Sequence, residues 1–315
     1  MKPNVLVAYP LRPQQMATLE ELYTVHRLDL VDGEAREAML ADAGSKCTAM
    51  VINGHVAVDA DLLAKLPALK LAACSSAGYD KMDVAEMTRR GVKLTNTSDV
   101  LLDDVADMAL LLMLAARRKL VDGDRYVRSG DWGRKGMMPL TTSTAGKKAG
   151  IVGLGQIGQA IAKRFAAVGL TIGYYGRTEK LGVDFAYFQD LIELARWADV
   201  LVVSTPGGPK TEGLISAEVL DALGPTGSFV NIARGSVVDE PALISALRER
   251  RIASAGLDVY LHEPQPDVAF ANLDNVVLYP HHASGTHETR ERMAQLTLDN
   301  LAAYFAGKPL LTPVN

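Results

Sequence analysis

The chain reads as an α/β protein with two open parallel sheets. Short apolar runs alternate with stretches of helical period from the N-terminus to about residue 280. A glycine-spaced turn joins one such run to a helix within 149–177. Three later runs each lead into a residue able to do chemistry, Arg234, Glu263 and His281. Strands alternating with helices imply a parallel sheet covered on both faces.

The first hundred residues give one such series. Residues 4–8 (NVLVA), Tyr23 to Leu28, Ala49 to Ile52, Leu69 to Cys74 and 91–94 (GVKL) read as strands. Pro13 to Leu22, Glu34 to Ala41 and Ala60 to Leu66 read as the helices between them. The loop Cys74-Ser75-Ser76-Ala77-Gly78-Tyr79-Asp80 lies at the carboxyl end of a strand, where open α/β sheets bind ligands. Its small residues leave backbone N–H groups free for a carboxylate; an ordinary strand–helix turn is the equal alternative on sequence alone.

Thr95 to Asp104 is rich in caps and turns and reads as the crossover into a second domain. Asp103 or Asp104 is expected to cap the apolar helix that follows, with Arg117-Arg118-Lys119 towards its end. The run Val105 to Ala116 contains Asp107 and falls short of the ~20 apolar residues a membrane span needs, so a buried helix is expected. Residues 120–148, with Gly130, Gly133 and Gly136, read as an irregular excursion. Trp132 within it suits the core, a subunit interface or a pocket, and packing is the expectation.

Residues 149–177 read AGIVGLGQIGQAIAKRFAAVGLTIGYYGR. Ala149 to Val152 is strand-like. Gly153-Leu154-Gly155-Gln156-Ile157-Gly158 has the spacing G-x-G-x-x-G, and Ile157, Ile161, Ala162, Phe165 and Ala166 recur at helical intervals. Gly169 ends that helix and Leu170 to Tyr175 is the next strand. Gly153 permits the tight turn, Gly155 lets backbone approach a pyrophosphate, and Gly158 lets helix and strand pack. The diphosphate then meets free N–H groups at the positive end of the helix. With strand, helix and second strand all present, the stretch predicts a Rossmann nucleotide site rather than a mere glycine-rich turn.

An NAD enzyme carries an acidic residue where the second strand ends. Here stand Gly176, Arg177, Thr178, Glu179 and Lys180. A carboxylate repels a 2′-phosphate, whereas Arg177 and Thr178 bind one, the arginine through a charged fork. NADP(H) is therefore expected over NAD(H), with a solvated basic turn as the alternative; Glu179 and Asp184 weaken the contrast.

Beyond it, Asp199 to Ser204 is a strand leading into Thr205-Pro206-Gly207-Gly208-Pro209. Gly227 to Ile232 leads to Ala233-Arg234-Gly235, and Asp239 with Pro241 opens a helix over 240–249. Ala255 to Tyr260 leads to Leu261-His262-Glu263-Pro264, and Val276 to Tyr279 to Pro280-His281-His282. Carboxyl ends of parallel strands converge on one crevice. There an arginine clamps a keto acid, a histidine gives a proton to the carbonyl oxygen, and a glutamate favours the protonated histidine. Singly each has a bland role; jointly, beside a dinucleotide site, they predict catalysis. Thr286 to Phe305 reads as a final helix that returns to the first domain. The expected division is 1–98 plus 287–315 against 99–286.

With 315 residues, 48% hydrophobic, 22% charged and a net charge of −4, the chain has the composition of an ordinary two-domain protein. Nothing points to nucleic acid or an anionic membrane. Two cysteines, Cys47 and Cys74, give neither a disulfide framework nor a zinc site, so no metal and a reducing, cytoplasmic compartment are expected.

The runs VGLGQIGQAIA (152–162), NIARGSVVDEPALISAL (231–247), AGLDVYLHEP (255–264) and LYPHHASGTHETR (278–290) resemble the D-isomer-specific 2-hydroxyacid dehydrogenases. So do DDVADMALLLMLAARR (103–118) and SSAGYDKMDV (75–84). Within that family, GRT at 176–178 and GKPLLTPV at 307–314 are most similar to the NADPH-preferring glyoxylate/hydroxypyruvate reductases. The resemblance implies a Rossmann domain and a flavodoxin-like substrate domain with the active site in the cleft between them, closing over substrate. It implies that Arg234 binds substrate, Glu263 tunes the histidine and His281, directly after a proline, is the acid/base. Backbone groups of Ala77 and Gly78 would hold the substrate carboxylate, and Ile232, Ala233 and Asp258 would line the nicotinamide. Thr205 and Pro206 belong to the cofactor set, and homodimers through the helix around 104–118 are implied.

The chain departs from the family at Gly207-Gly208, where a leucine and a threonine are common, and Val259, Tyr260 and His262 form a variable stretch. No regulatory extension follows the last helix, unlike the phosphoglycerate dehydrogenases that carry one. Reduction of glyoxylate to glycolate and hydroxypyruvate to D-glycerate is the first expectation. Bulkier keto acids such as aryl pyruvates, or a non-enzymatic dinucleotide-sensing protein of the same fold, are the alternatives.

Overall fold

The computed structural model describes residues 2–315. The chain divides into two compact units, Met1–Leu101 with Ser284–Asn315, and Leu102–Ala283.

The first unit is a five-stranded sheet. Its elements are β1 (Asn4–Val7), α1 (Pro13–Leu22), β2 (Thr24–Arg27), α2 (Gly33–Ala43), β3 (Ala49–Ile52), α3 (Ala60–Lys65), β4 (Leu71–Cys74), α4 (Val84–Arg89) and β5 (Lys93–Thr95). The strand order is β2-β1-β3-β4-β5, every pair parallel, which is the flavodoxin-like order. The period-two rule of strands is plain on both faces. Val5, Val7, Ala49, Val51, Leu71 and Ala73 enter one core cluster. Their neighbours Leu6, Met50, Ile52, Ala72 and Cys74 enter the other.

The second unit opens with α5 (Leu102–Arg118), α6 (Leu120–Arg128) and α7 (Asp131–Lys135). The sheet then builds through β6 (Lys148–Val152), α8 (Gln156–Ala167), β7 (Thr171–Tyr175), β8 (Ala186–Phe188), α9 (Leu191–Trp197), β9 (Val200–Val203), α10 (Ala217–Leu223), β10 (Ser228–Asn231), α11 (Glu240–Arg248), β11 (Ser254–Leu257) and β12 (Val276–Leu278). The order β12-β11-β10-β9-β6-β7-β8 is wholly parallel. It reverses direction at β6 and β9, the switch point where Rossmann sheets take dinucleotides. The chain finally returns to the first unit as α12 (His287–Phe305), whose Ala294, Leu298 and Leu301 pack on Val5, Val7 and Leu71 in one apolar cluster.

Three expectations differ from the fold. Asp103 and Asp104 lie inside the first turn of α5 rather than capping it, where their charge still suits the helix dipole. Residues 120–148 hold two short helices, α6 and α7. Trp132 stands 59% exposed instead of packing in a core. Within the apolar run 105–116, Val105, Ala106, Ala109, Leu112, Met113, Ala115 and Ala116 form the buried face of α5, with Leu112 so close to β11 that a Cβ on Gly256 would lie 2.9 Å from the leucine Cβ. Among the described residues no helix is long and apolar enough to cross a membrane, and none form a group of three or more His, Cys, Asp or Glu fit to hold a metal.

Candidate active site

In the second unit the strand ends of one parallel sheet carry every predicted site residue except Ala77 and Gly78. Gly153 follows β6 with φ of 95°, a left-handed turn that disfavours any side chain. A Cβ there would also lie 3.1 Å from Thr205, just past β9, so the two sides of the switch point meet backbone to backbone. A Cβ on Gly158 would fall 2.2 Å from the Gly153 carbonyl oxygen, so only glycine lets α8 start this close to the turn. Gly155, the N-cap of α8, has open space where its Cβ would be, and no acidic residue stands in the first helical turn. These features fit a bound diphosphate: room beside Gly155 and N–H groups at a positive helix end. Leu154 is buried and Gln156 and Ile157 begin the helix. Gly176, Arg177 and Thr178 follow β7 directly, with Arg177 and Thr178 exposed.

Arg234, Glu263 and His281 follow the adjacent strands β10, β11 and β12. His281 Nδ1 and Glu263 Oε2 are 2.6 Å apart, with side chains 37% and 27% exposed. Burial by itself pushes the Glu263 carboxyl up. The hydrogen bond to His281, the Tyr260 N–H on its other oxygen at 2.9 Å, and the nearby charges of His281 and Arg234 outweigh it, and the net shift is downwards. Glu263 is thereby an anion facing His281 Nδ1.

Each of these side chains stands on a braced loop. Asn231, 1% exposed at the end of β10, accepts from the Ala233 N–H at 3.0 Å and donates to the Arg234 carbonyl at 2.9 Å, so it shapes the turn that carries Ile232, Ala233 and Arg234. The Arg234 guanidinium donates to the Ala233 carbonyl at 2.6 Å. Gly235 then passes so near the next loop that a Cβ would lie 1.9 Å from the Tyr260 carbonyl carbon. Buried Glu240, at the start of α11, accepts from the Leu261 N–H at 2.8 Å and holds that same loop. Asp239 caps α11 through the Ala242 N–H.

The loop of His281 is tied from two directions. Asp258, 1% exposed, accepts from the His282 and Ala283 N–H groups at 2.8 and 3.1 Å, while its own carbonyl takes the His281 N–H at 2.7 Å. Burial raises the Asp258 carboxyl despite those two donors. The Tyr260 hydroxyl donates to the Tyr279 carbonyl at 2.9 Å, and its burial pushes that phenol up to about 12. His281 itself has φ of 48°, an uncommon conformation for a side-chain-bearing residue and one frequent at functional sites.

In the first unit, Ala77 and Gly78 lie in the loop after β4. Ser76 knots that loop: its hydroxyl accepts from the Gly54 N–H at 2.7 Å and donates to the Gly78 carbonyl at 2.9 Å. Asn96 adds a bond to the Ala77 carbonyl at 3.1 Å.

Asn231, Glu240 and Ser76 were not singled out from the sequence. Asn231 had a signal, a polar residue closing an apolar strand run. Glu240 reads like any first-turn carboxylate, and Ser76 like any loop serine; Leu261 and Gly54, which they hold, lie in distant segments.

The sequence profile of the D-isomer specific 2-hydroxyacid dehydrogenase NAD binding domain matches residues 110–283. A hydroxyphenylpyruvate reductase from Plectranthus scutellarioides is 47% identical over 280 residues, 89% of each chain. A 2-ketogluconate reductase from Gluconobacter oxydans is 42% identical over 313 residues, 99% of each. A crystal structure of an NADPH-dependent glyoxylate/hydroxypyruvate reductase from Sinorhizobium meliloti, in complex with NADP and malonate, superposes with a TM-score of 0.90 at 38% identity, covering 100% of this chain and 97% of that one. Sheet order, glycine turn and these likenesses agree: the chain belongs to the D-isomer-specific 2-hydroxyacid dehydrogenase family of oxidoreductases and carries its nicotinamide-dinucleotide-binding domain.

Proposed function

We propose that the chain is an NADPH-dependent reductase of small 2-keto acids, taking glyoxylate to glycolate and hydroxypyruvate to D-glycerate. The observation that carries this reading is the 2.6 Å His281–Glu263 pair, placed with Arg234 on the strand ends of the sheet that holds the glycine turn. A bound nicotinamide dinucleotide supplies the hydride. Gly153 to Gly158 hold its diphosphate, Arg177 and Thr178 with Gly176 its 2′-phosphate, and Thr205, Pro206, Ile232, Ala233 and Asp258 its nicotinamide half. Arg234 clamps the keto acid through carboxylate and carbonyl oxygen, and the Ala77 and Gly78 backbone adds to the carboxylate's anchorage. His281 Nε2 gives its proton to the carbonyl oxygen as that oxygen becomes an alkoxide, and Glu263 stabilises the imidazolium before transfer.

The NADP in the Sinorhizobium complex and the arginine after β7 support the cofactor choice. A second reading, reduction of bulkier keto acids, draws on the hydroxyphenylpyruvate and 2-ketogluconate reductases among the relatives. Coenzyme oxidation by purified protein, crossing NADPH and NADH with glyoxylate, hydroxypyruvate, phenylpyruvate and 2-ketogluconate, separates them. Fast NADPH oxidation with the two small acids is expected. Preference for a bulky acid selects the second reading, and tight nucleotide binding without turnover would point to a sensing protein.

We also propose a homodimer through the second unit's helical segment. Leu111, Leu120, Val127, Trp132, Met137 and Leu140 are 50–98% exposed within thirty residues of chain, an apolar concentration that marks an interaction surface. Light scattering should return twice the mass of 33.8 kDa; a monomer at micromolar concentration contradicts it.

A further inference from the structure

The turn 176–180 is gripped at both ends by two tyrosines that neither the fingerprint nor the catalytic geometry uses. Tyr174 on β7 and Tyr187 on β8 are register partners in the parallel ladder. Their rings lie 5.4 Å apart at 45°, and Tyr174 is 1% exposed. The Tyr174 hydroxyl accepts from the Lys180 N–H at 2.7 Å, at the far end of the turn. The Tyr187 hydroxyl donates to the Gly176 carbonyl at 3.2 Å, at its near end. Arg177, Thr178 and Glu179 between these two anchors are exposed.

We propose that Tyr174 and Tyr187 are positioning residues for cofactor selectivity: by clamping the ends of this turn they hold Arg177 and Thr178 ready for a 2′-phosphate. The inference rests on the reading that Arg177 and Thr178 meet that phosphate. An exposed turn left loose must lose backbone freedom when it grips a ligand, and that cost subtracts from affinity. Two hydroxyls on neighbouring strands, one on a buried ring and one on a half-buried ring, fix the turn beforehand. The gain goes only to a ligand that touches the turn, so it separates the phosphorylated dinucleotide from the unphosphorylated one. β8 has a role in this account: it is a three-residue edge strand, and what it contributes to the site is one tyrosine beside another.

The test is binding, measured by fluorescence titration of NADPH and NADH on the full chain, for Tyr174→Phe, Tyr187→Phe and Arg177→Ala. Each phenylalanine keeps the ring and removes one hydroxyl. Tyr174→Phe should weaken NADPH about fivefold and NADH less than about twofold, the size of one lost hydrogen bond. Tyr187→Phe, at a partly exposed site, should follow in the same direction and serves if the buried variant folds poorly. In an Arg177→Ala background, Tyr174→Phe should change NADPH binding less than it does in the wild type, because clamp and phosphate contact act in series. If Arg177→Ala lowers NADPH affinity selectively while both tyrosine variants keep the wild-type NADPH-to-NADH ratio, the clamp is wrong and the phosphate reading survives. If the tyrosine variants weaken both cofactors alike, they serve the domain rather than selectivity, and the proposal falls. Equal loss of both cofactors in Arg177→Ala would remove the phosphate reading and the clamp with it.

Discussion

Glu263 keeps its charge against its own burial because three kinds of partner favour the anion: His281, the Tyr260 N–H and the positive Arg234. That anion lies 2.6 Å from His281 Nδ1 and holds the ring through it. Glu263→Gln keeps the shape and removes the charge. Reduction at pH 8 should then be about tenfold slower. NADPH affinity should stay within about twofold. An unchanged rate would show that the charge on Glu263 takes no part in reduction. Arg234, Glu263 and His281 were legible in sequence because each follows a strand run at short range, and strand ends in a parallel sheet share an edge. The braces were not. Asn231 serves its own turn, but Glu240 acts on Leu261, twenty-one residues away, and only the meeting of α11 with the loop after β11 makes that contact.

At the level of elements, β6, the glycine turn and α8 divide their labour among three glycines, and substitution should separate the parts. At Gly155 the Cβ of alanine meets nothing within 4 Å, and the backbone is extended at φ of −76°. Gly155→Ala should therefore fold with a melting temperature within about 2 °C of wild type, a surface-type cost. Yet its methyl group would fill the open space proposed for the diphosphate, so NADPH and NADH should both bind at least about tenfold more weakly, about 1.4 kcal/mol. Gly158→Ala drives a methyl group against the Gly153 carbonyl oxygen at 2.2 Å and should destabilise the second unit by about 1–3 kcal/mol before any ligand is added. A melt with and without NADPH distinguishes the two, and equal melting temperatures would contradict this division. The strand–turn–helix order here was readable because period, cap and glycine spacing all agree locally. The elements that escaped reading are the brief ones. α9 and α10 span seven residues each and β8 three. So few residues give a hydrophobic period little to register on, although α3, no longer, was read from Ala60 to Leu66. α6 and α7 sit among glycines that suggest loop, and their ends do adopt left-handed turns at Lys119 and Gly130.

Across the molecule, both cysteines fall in the first unit's core, Cys47 wholly buried and Cys74 1% exposed, on the sheet face shared by Leu6, Met50 and Ile52. Cys74 ends a strand that the sequence shows, whereas the burial of Cys47, in the turn after α2, depends on packing that no local pattern encodes. Burial pushes the Cys47 thiol up to about 11 and raises that of Cys74 as well, Ser76 notwithstanding. The sign of the consequence follows from linkage. An unfolded cysteine loses its proton near pH ~8.5 while folded Cys47 keeps it to much higher pH, so between these values the unfolded state binds fewer protons and stability falls as pH rises. Below pH ~8.5 the contribution is fully present; by pH ~11 up to ~3 kcal/mol of it is gone. Tyr260, pushed up to about 12, adds a second loss that begins near pH ~10, where an unfolded phenol ionises. Urea unfolding from pH 7 to 10.5 should show this decline. Cys47→Ala should be less stable at pH 7, from the cavity it leaves, yet lose less between pH 8 and 10.5. A thiol reagent at pH 8 should find no reactive cysteine in the native protein and both after unfolding, since buried thiols present neither access nor thiolate. Rapid native labelling of either residue, or a flat stability profile above pH 8.5, would mean that the core around Cys47 opens to water.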